Sequence, residues 1–358
     1  MKLYTCNNCS NPLYFENSVC LNCKHTIGFD PLKLTMITLE PVQGMINQYA
    51  NIKDKNEQYY LCANAQHGTC NWLVPTNHTT LFCTACDLNR TIPDITNLDN
   101  LKRWKMIEIA KHRLIYSLIK LNLPLAPKIN NSEKGLAFDF LGDVSLEERV
   151  MTGHDNGTIT LNIEEADDAQ RVRHQQDLGE KYRTLLGHFR HEVGHYYWDV
   201  LIRDNPDALQ KCRQLFGDDM VDYNEALTTY YANGAANNWS LSYVSPYATA
   251  HAWENWAETW AHYLHLMDTL ETAYAFGVGV HPLKILDKDM QADIKEDPYT
   301  VVDFDRIIHK WLPLTFAFNS LNRSMGHQDF YPFYTPLPVI EKLRFIHELL
   351  GVGKSNIN

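Results

Sequence analysis

No stretch of the 358 residues is apolar for long enough to span a membrane, and residues 1–17 have no signal-peptide core. From these two absences we expect a cytoplasmic protein without a membrane partner. A basic surplus is missing as well: 32 Lys and Arg stand against 43 Asp and Glu, for a net charge of −11. Bulk attraction to nucleic acid or anionic lipid is therefore disfavoured, which leaves only a local basic patch as a route to either. Low-complexity segments are absent, and nothing repeats except pairs of cysteine knuckles. What remains is a globular chain, 45% hydrophobic and long enough for two domains.

Cysteine, by contrast, is plentiful and regularly placed. Cys6-x-x-Cys9 and Cys20-x-x-Cys23 form a pair of knuckles, and Cys62, Cys70, Cys83 and Cys86 make a second quartet ending in another C-x-x-C. Thiolates at this spacing wrap a tetrahedral metal, each C-x-x-C giving two ligands from one tight turn. The competing reading, a disulfide framework, requires an oxidising compartment that nothing here implies. Sequential pairing gives two structural zinc sites of four cysteines each, and a cross-braced arrangement is the alternative. His67 lies inside the second quartet, and Cys212 is left over as a buried or idle thiol. Residues 1–92 are thus expected to be a metal-stapled module with short strands at 34–40 and 59–62. Such a segment is too poor in apolar residues to fold without metal.

A third metal is suggested by His191-Glu192-Val193-Gly194-His195, an H-E-x-x-H pattern in a segment predicted to be helical over 181–203. Histidines four apart share one helical face, so both imidazoles can reach one Zn²⁺, with the intervening Glu192 placed to act on its water. A catalytic zinc takes three protein ligands and keeps one open position. Trp198 and Leu201 stand where a metzincin would need Gly and His, so the third ligand must come from elsewhere. Glu225, in Asn224-Glu225-Ala226-Leu227, faintly resembles the Asn-Glu segment of aminopeptidase-type zincins. Glu254 and Glu258 are four apart on a helix rich in Trp253, Trp256, Trp260, Tyr263 and Leu264. Carboxylates buried among such bulk are costly unless they bind metal or pair, which favours this helix over Glu225.

Tyr247, Glu254 and Glu258 follow one another in an order and spacing similar to those of the anthrax lethal factor-type zincins. That resemblance implies Glu254 as third ligand, Glu258 as the acceptor that orients a ligand histidine (His191 foremost), and Tyr247 as donor to the oxyanion. More widely, residues 191–199, 251–265 and 321–333, together with the cysteines, resemble a bacterial family of putative zinc-binding metallopeptidases with an N-terminal zinc-ribbon region. The resemblance covers nearly the whole chain. Ala252 and Asn255 depart from the Pro and Asp expected there, without touching the proposed ligands.

Between these motifs, residues 99–123 read as a long amphipathic helix, which the resemblance makes the opening of the peptidase domain. Strands are predicted at 135–142, 148–152 and 157–163, the last two joined by the turn signal His154-Asp155-Asn156-Gly157. Residues 157–163 are the candidate edge strand for an extended substrate, or an ordinary edge guarded by Glu164, Glu165, Asp167 and Asp168. Gly194 costs its helix about 1 kcal/mol, implying close approach of another backbone. The Glu254 helix is expected to end near 276, with further helices near 301–321 and 338–350. Arg323 and Tyr331 are expected to pin the C-terminal helices rather than face the cleft, and Asp199 and His188 to be exposed rather than to support the ligand histidines.

The expected fold is α+β: a zinc-ribbon module at 1–92, then a mainly helical zincin-like domain with a small sheet at 93–358. The expected function is zinc-dependent hydrolysis of peptide bonds in a peptide or protein substrate, with Glu192 as general base. One catalytic and two structural Zn²⁺ are implied. The alternatives are a catalytically silent scaffold whose ribbons bind a protein partner, and a hydrolase of non-peptide amides.

Overall fold

A computed structural model describes residues 2–143, 149–167, 184–284 and 287–353. Predicted features at Glu148, at Asp168 and at the start of the helix near Lys181 lie outside the described residues. The chain divides into two compact units, the first holding residues 1–179 and 183–189 and the second 180–182 and 190–358.

In the first unit, short strands β1 (Tyr4–Thr5) and β2 (Pro12–Leu13) form a knuckle hairpin ahead of a five-stranded antiparallel meander. The meander runs β3 (Thr26–Asp30), β4 (Thr35–Pro41), β5 (Gln48–Asn51), β6 (Gln58–Leu61) and β7 (Leu73–Pro75). Of these, the sequence pattern marks only β4 and β6. The meander curls until Phe29 N–H donates to the Asn71 carbonyl at 2.9 Å, bringing its first and last strands together. Phe15, Phe29, Trp72 and Tyr116 pack edge-on or tilted in the core beneath it, with ring centroids 4.8–6.1 Å apart. Tyr116 comes from α1 (Leu98–Lys120), which Asn97 caps by accepting from the N–H groups of Asp99 and Asn100. By compactness α1 therefore groups with the cysteine-bearing segment.

A second sheet in this unit has the order β10–β11–β9–β8: β8 (Asn89–Thr91), β9 (Ala137–Leu141), β10 (Gly153–Asp155) and β11 (Thr158–Asn162). β8, β9 and β11 are mutually parallel, and β10 is antiparallel to β11. The hairpin turn falls where the sequence places it, with Asn156 and Gly157 both at positive φ (42° and 75°). Its consequence corrects two expectations. A two-residue turn forces Asp155 opposite Thr158, so the partner strand is 153–155 rather than 148–152. That partner covers the outer side of β11, so residues 157–163 are not the edge strand.

The second unit is helical. After α2 (Leu185–Leu201), whose first residues belong to the first unit, come α3 (Pro206–Phe216), α4 (Tyr223–Asn233), α5 (Ala252–Ala275), α6 (Phe304–Ser324) and α7 (Leu337–Leu350), with a two-stranded β12 (Gly279–Val280) and β13 (Ala292–Asp293). α5 is its core: Trp256, Trp260, Tyr263 and Leu264 are wholly buried. Gly194 behaves as expected, since a Cβ there would lie 3.0 Å from the Ala257 Cα and 3.3 Å from the Trp260 Cβ. The bare backbone also lets Trp256 Nε1 donate to the Gly194 carbonyl at 2.8 Å. Together with the strands of the first unit this is an α+β chain, as predicted.

Candidate metal centre

Among the described residues, metal-binding side chains gather at three places, and at the second of them Glu108 and His112 join Cys86 in a further group. In the first, Cys6 and Cys23 sulfurs lie 3.6 Å apart, as do those of Cys9 and Cys20. Each knuckle is a tight turn closed by a backbone bond, Ser10 N–H to Cys6 O and Lys24 N–H to Cys20 O, with Ser10 and Lys24 at positive φ.

The second cluster, Cys62, Cys70, Cys83 and Cys86, is fully buried. Backbone N–H groups of Cys83 and Trp72 point at the sulfurs of Cys62 and Cys70, at 3.4 and 3.3 Å. Burial pushes the Cys70 and Cys83 thiols well up, while hydrogen bonds from Cys62, Cys70 and Cys83 hold Cys86 well below the usual thiol range. Four converging sulfurs at this depth cannot all ionise without a cation, so the donor set fits zinc. His67, inside the quartet in sequence, instead packs tilted against Trp104, with ring centroids 5.9 Å apart.

The histidine beside these thiols is His112 of α1, which with Glu108 comes within reach of Cys86. Its Nδ1 donates to the Glu108 carbonyl at 2.6 Å, which leaves Nε2 facing the sulfurs of Cys70 (3.3 Å) and Cys86 (3.9 Å). Behind it, wholly buried Glu108 accepts from Trp104 Nε1 (3.0 Å), Asn89 Nδ2 (2.7 Å) and Lys111 Nζ (2.9 Å). Sequence reading missed this support. Its only sign was three polar residues, Glu108, Lys111 and His112, interrupting the apolar face of α1 between Trp104 and Ile115.

The third cluster is His191, His195 and Glu254. The two Nε2 atoms are 3.2 Å apart, and Glu254 Oε2 lies 3.0 Å from one and 3.6 Å from the other. Glu254 is 1% exposed, and among the described residues its Oε2 has no hydrogen-bond partner. Against the burial that pushes them the other way, these groups hold His191 well above and Glu254 well below their usual ranges. Two imidazole nitrogens and a carboxylate oxygen meeting at one point form a set that a divalent cation satisfies. Glu258 Oε1 is 2.7 Å from His191 Nδ1, and Ser245 Oγ donates to Glu258 Oε2 at 2.5 Å. Tyr223 was not anticipated: its phenol donates to Glu254 Oε1 at 2.5 Å.

Glu192 is buried on α2 between the two histidines in sequence. The Tyr247 ring stands 6.0 Å from that of His191, and burial, then the charge of Glu254, pushes its phenol far up, so it remains a proton donor. Glu225 is exposed on α4 and takes no part. Asp199 pairs with Arg203 at 3.1 Å. Half-buried His188 pairs with Glu165, contrary to the exposure expected of it. Arg323 pairs with Asp329, and Tyr331 ties the C-terminal segment to α5 through His262 (2.7 Å). Burial pushes the leftover Cys212 thiol up to about 12.

Residues 100–349 match the family described as "Putative zinc-binding metallo-peptidase", and residues 3–97 match a zinc-ribbon domain. Uncharacterized proteins of Mycobacterium tuberculosis (strain H37Rv) and Mycobacterium bovis are each 41% identical over 350 residues, covering 98% of this chain and 95% of theirs. No solved structure matches. With its two cysteine quartets followed by the His191, His195 and Glu254 cluster, this chain belongs to the family of putative zinc-binding metallo-peptidases.

Proposed function

We propose that this chain is a zinc-dependent peptidase acting on a peptide or protein in the cytoplasm, where cysteine sites of this kind stay reduced. His191, His195 and Glu254 hold the catalytic Zn²⁺, and the two cysteine quartets hold structural zinc. The sequence modules are 1–92 and 93–358. Zinc held at the third site supplies Lewis-acid polarisation of the attacking water and the scissile carbonyl. Glu192 takes the proton from that water and delivers it to the leaving amine. Tyr247 donates its phenol to the oxyanion as it forms. Glu258, itself fixed by Ser245, accepts from His191 Nδ1 and so fixes its tautomer and ring plane. Tyr223 supports Glu254 from behind rather than meeting substrate.

The observation that carries this reading is the convergence of Nε2, Nε2 and Oε2 on one point with an acid behind His191. Metal content per chain tests it. Wild type should carry three zincs and His191→Ala two; two zincs in both proteins would put the scaffold reading ahead. Peptide-library digestion read by mass spectrometry then tests turnover, which Glu192→Gln should lower by about 10²–10⁴-fold.

A further inference from the structure

Lys342, in the second turn of α7, is 4% exposed, yet among the described residues no carboxylate pairs with it. Its Nζ donates to the Ser242 carbonyl at 2.7 Å and to Asn255 Oδ1 at 3.1 Å, and lies 4.4 Å from the centroid of the Tyr243 ring. The two oxygens accept two of the three ammonium protons, and the Phe216 ring centroid lies 5.8 Å from the charge as well. The adjacent Glu341 pairs with Arg344 Nη1 at 2.5 Å and lines the same pocket as Lys342. Burial alone pushes Lys342 down to about 8, so it still carries its charge at neutral pH.

Lys342 also lines a pocket of about 490 Å³, shared with Phe216, Gly217, Tyr243, Asn255 and Leu337. A buried cation without a carboxylate partner is costly, and the pocket that Lys342 lines gives an anionic ligand a place to offset that cost. The first turn of α7 borders the same pocket with Leu337 and Pro338, and no side chain caps it, so the helix dipole also favours negative charge there. The lining includes Phe216, Tyr243 and two leucines, Leu215 and Leu337. Glu341 on the rim opposes a second negative charge.

We propose that this pocket binds a small monocarboxylate with an apolar body, its carboxylate taking the third proton of Lys342. One buried cation without a carboxylate partner matches one negative charge, and the apolar lining matches the body. The site is separate from the metal cluster: Asn255 follows Glu254 in sequence, but its side chain turns to the Phe216 carbonyl and Lys342.

The test titrates zinc-loaded, full-length, isotope-labelled protein with benzoate, benzamide and inorganic phosphate. Benzoate should shift the Gly217 amide and the Asn255 side-chain amide resonances saturably, binding about tenfold or more tighter than benzamide. Lys342→Met should abolish that preference. Equal binding of benzamide, tighter binding of phosphate, shifts centred elsewhere, no saturable benzoate binding in the millimolar range, or an unaltered preference in Lys342→Met would each overturn the proposal. If Lys342→Met does not fold, the wild-type benzoate and benzamide titrations decide alone.

Discussion

The buried quartet of Cys62, Cys70, Cys83 and Cys86 and the His191, His195 and Glu254 cluster are built on opposite principles. The quartet supplies four sulfurs from within, bedded in core on every side, and its charged neighbours Glu108 and Lys111 are themselves wholly buried. The cluster supplies three donors, both histidines remain partly accessible, and further acids and phenols stand around it. A closed coordination sphere can only hold structure, whereas an open one leaves a place for substrate. The difference lies as much in the second layer of contacts as in the ligands. Around the quartet, hydrogen bonds run to backbone and to α1. Around the cluster they run along side chains to the ligands: Ser245 to Glu258 to His191, and Tyr223 to Glu254.

Breaking the closed centre should have the largest effect. Structural zinc contributes about 10–16 kcal/mol in small domains, so Cys86→Ser is expected to lose one zinc and cooperative melting of the first unit together. Unchanged melting would mean that the buried quartet does not need its metal. Glu192→Gln should do the reverse, lowering turnover by about 10²–10⁴-fold while three zincs and the melting temperature are retained. Should metal be lost as well, Glu192 is supporting the site rather than acting in it. Tyr247→Phe is expected to lower kcat by about 10²-fold with KM nearly unchanged; a change confined to KM removes its oxyanion role. Glu258→Gln should weaken zinc at the third site alone by about 10–100-fold, read by competition with a chelator.

How much of this was legible follows from distance along the chain. Each C-x-x-C and the H-E-x-x-H can be read because one turn or one helical turn brings the ligands together. Glu254 and Glu258 could be singled out because acids among Trp256 and Trp260 need a reason to be buried. Tyr223 and His112 could not, since they reach their partners across 31 and 42 residues through tertiary packing that no local pattern encodes. The hairpin at Asn156-Gly157 was legible as a turn, but the strand it dictates lies several residues later than the apolar pattern suggests. Pairing register is set by the turn's two-residue length and not by the apolar pattern upstream.

His112 gives the finest test of the contrast between the two centres, with the smallest effect. A tetrahedral zinc held by the four thiolates would leave His112 Nε2, at 3.3 Å from the Cys70 sulfur, outside the ligand sphere. Its Nδ1 is already committed to the Glu108 carbonyl, so the ring cannot turn to offer its other nitrogen. His112→Ala should therefore retain all three zincs and lower stability by about 1–3 kcal/mol, the usual cost of leaving buried polar partners unmatched. Cobalt substitution reads the same point spectroscopically: four-sulfur charge-transfer bands should persist in the variant. A chain that drops to two zincs, or whose cobalt spectrum loses intensity per sulfur, would place His112 among the ligands and one cysteine outside them. The buried centre would then share its mixed donor set with the open one, and only the accessibility of the histidines would still divide the two.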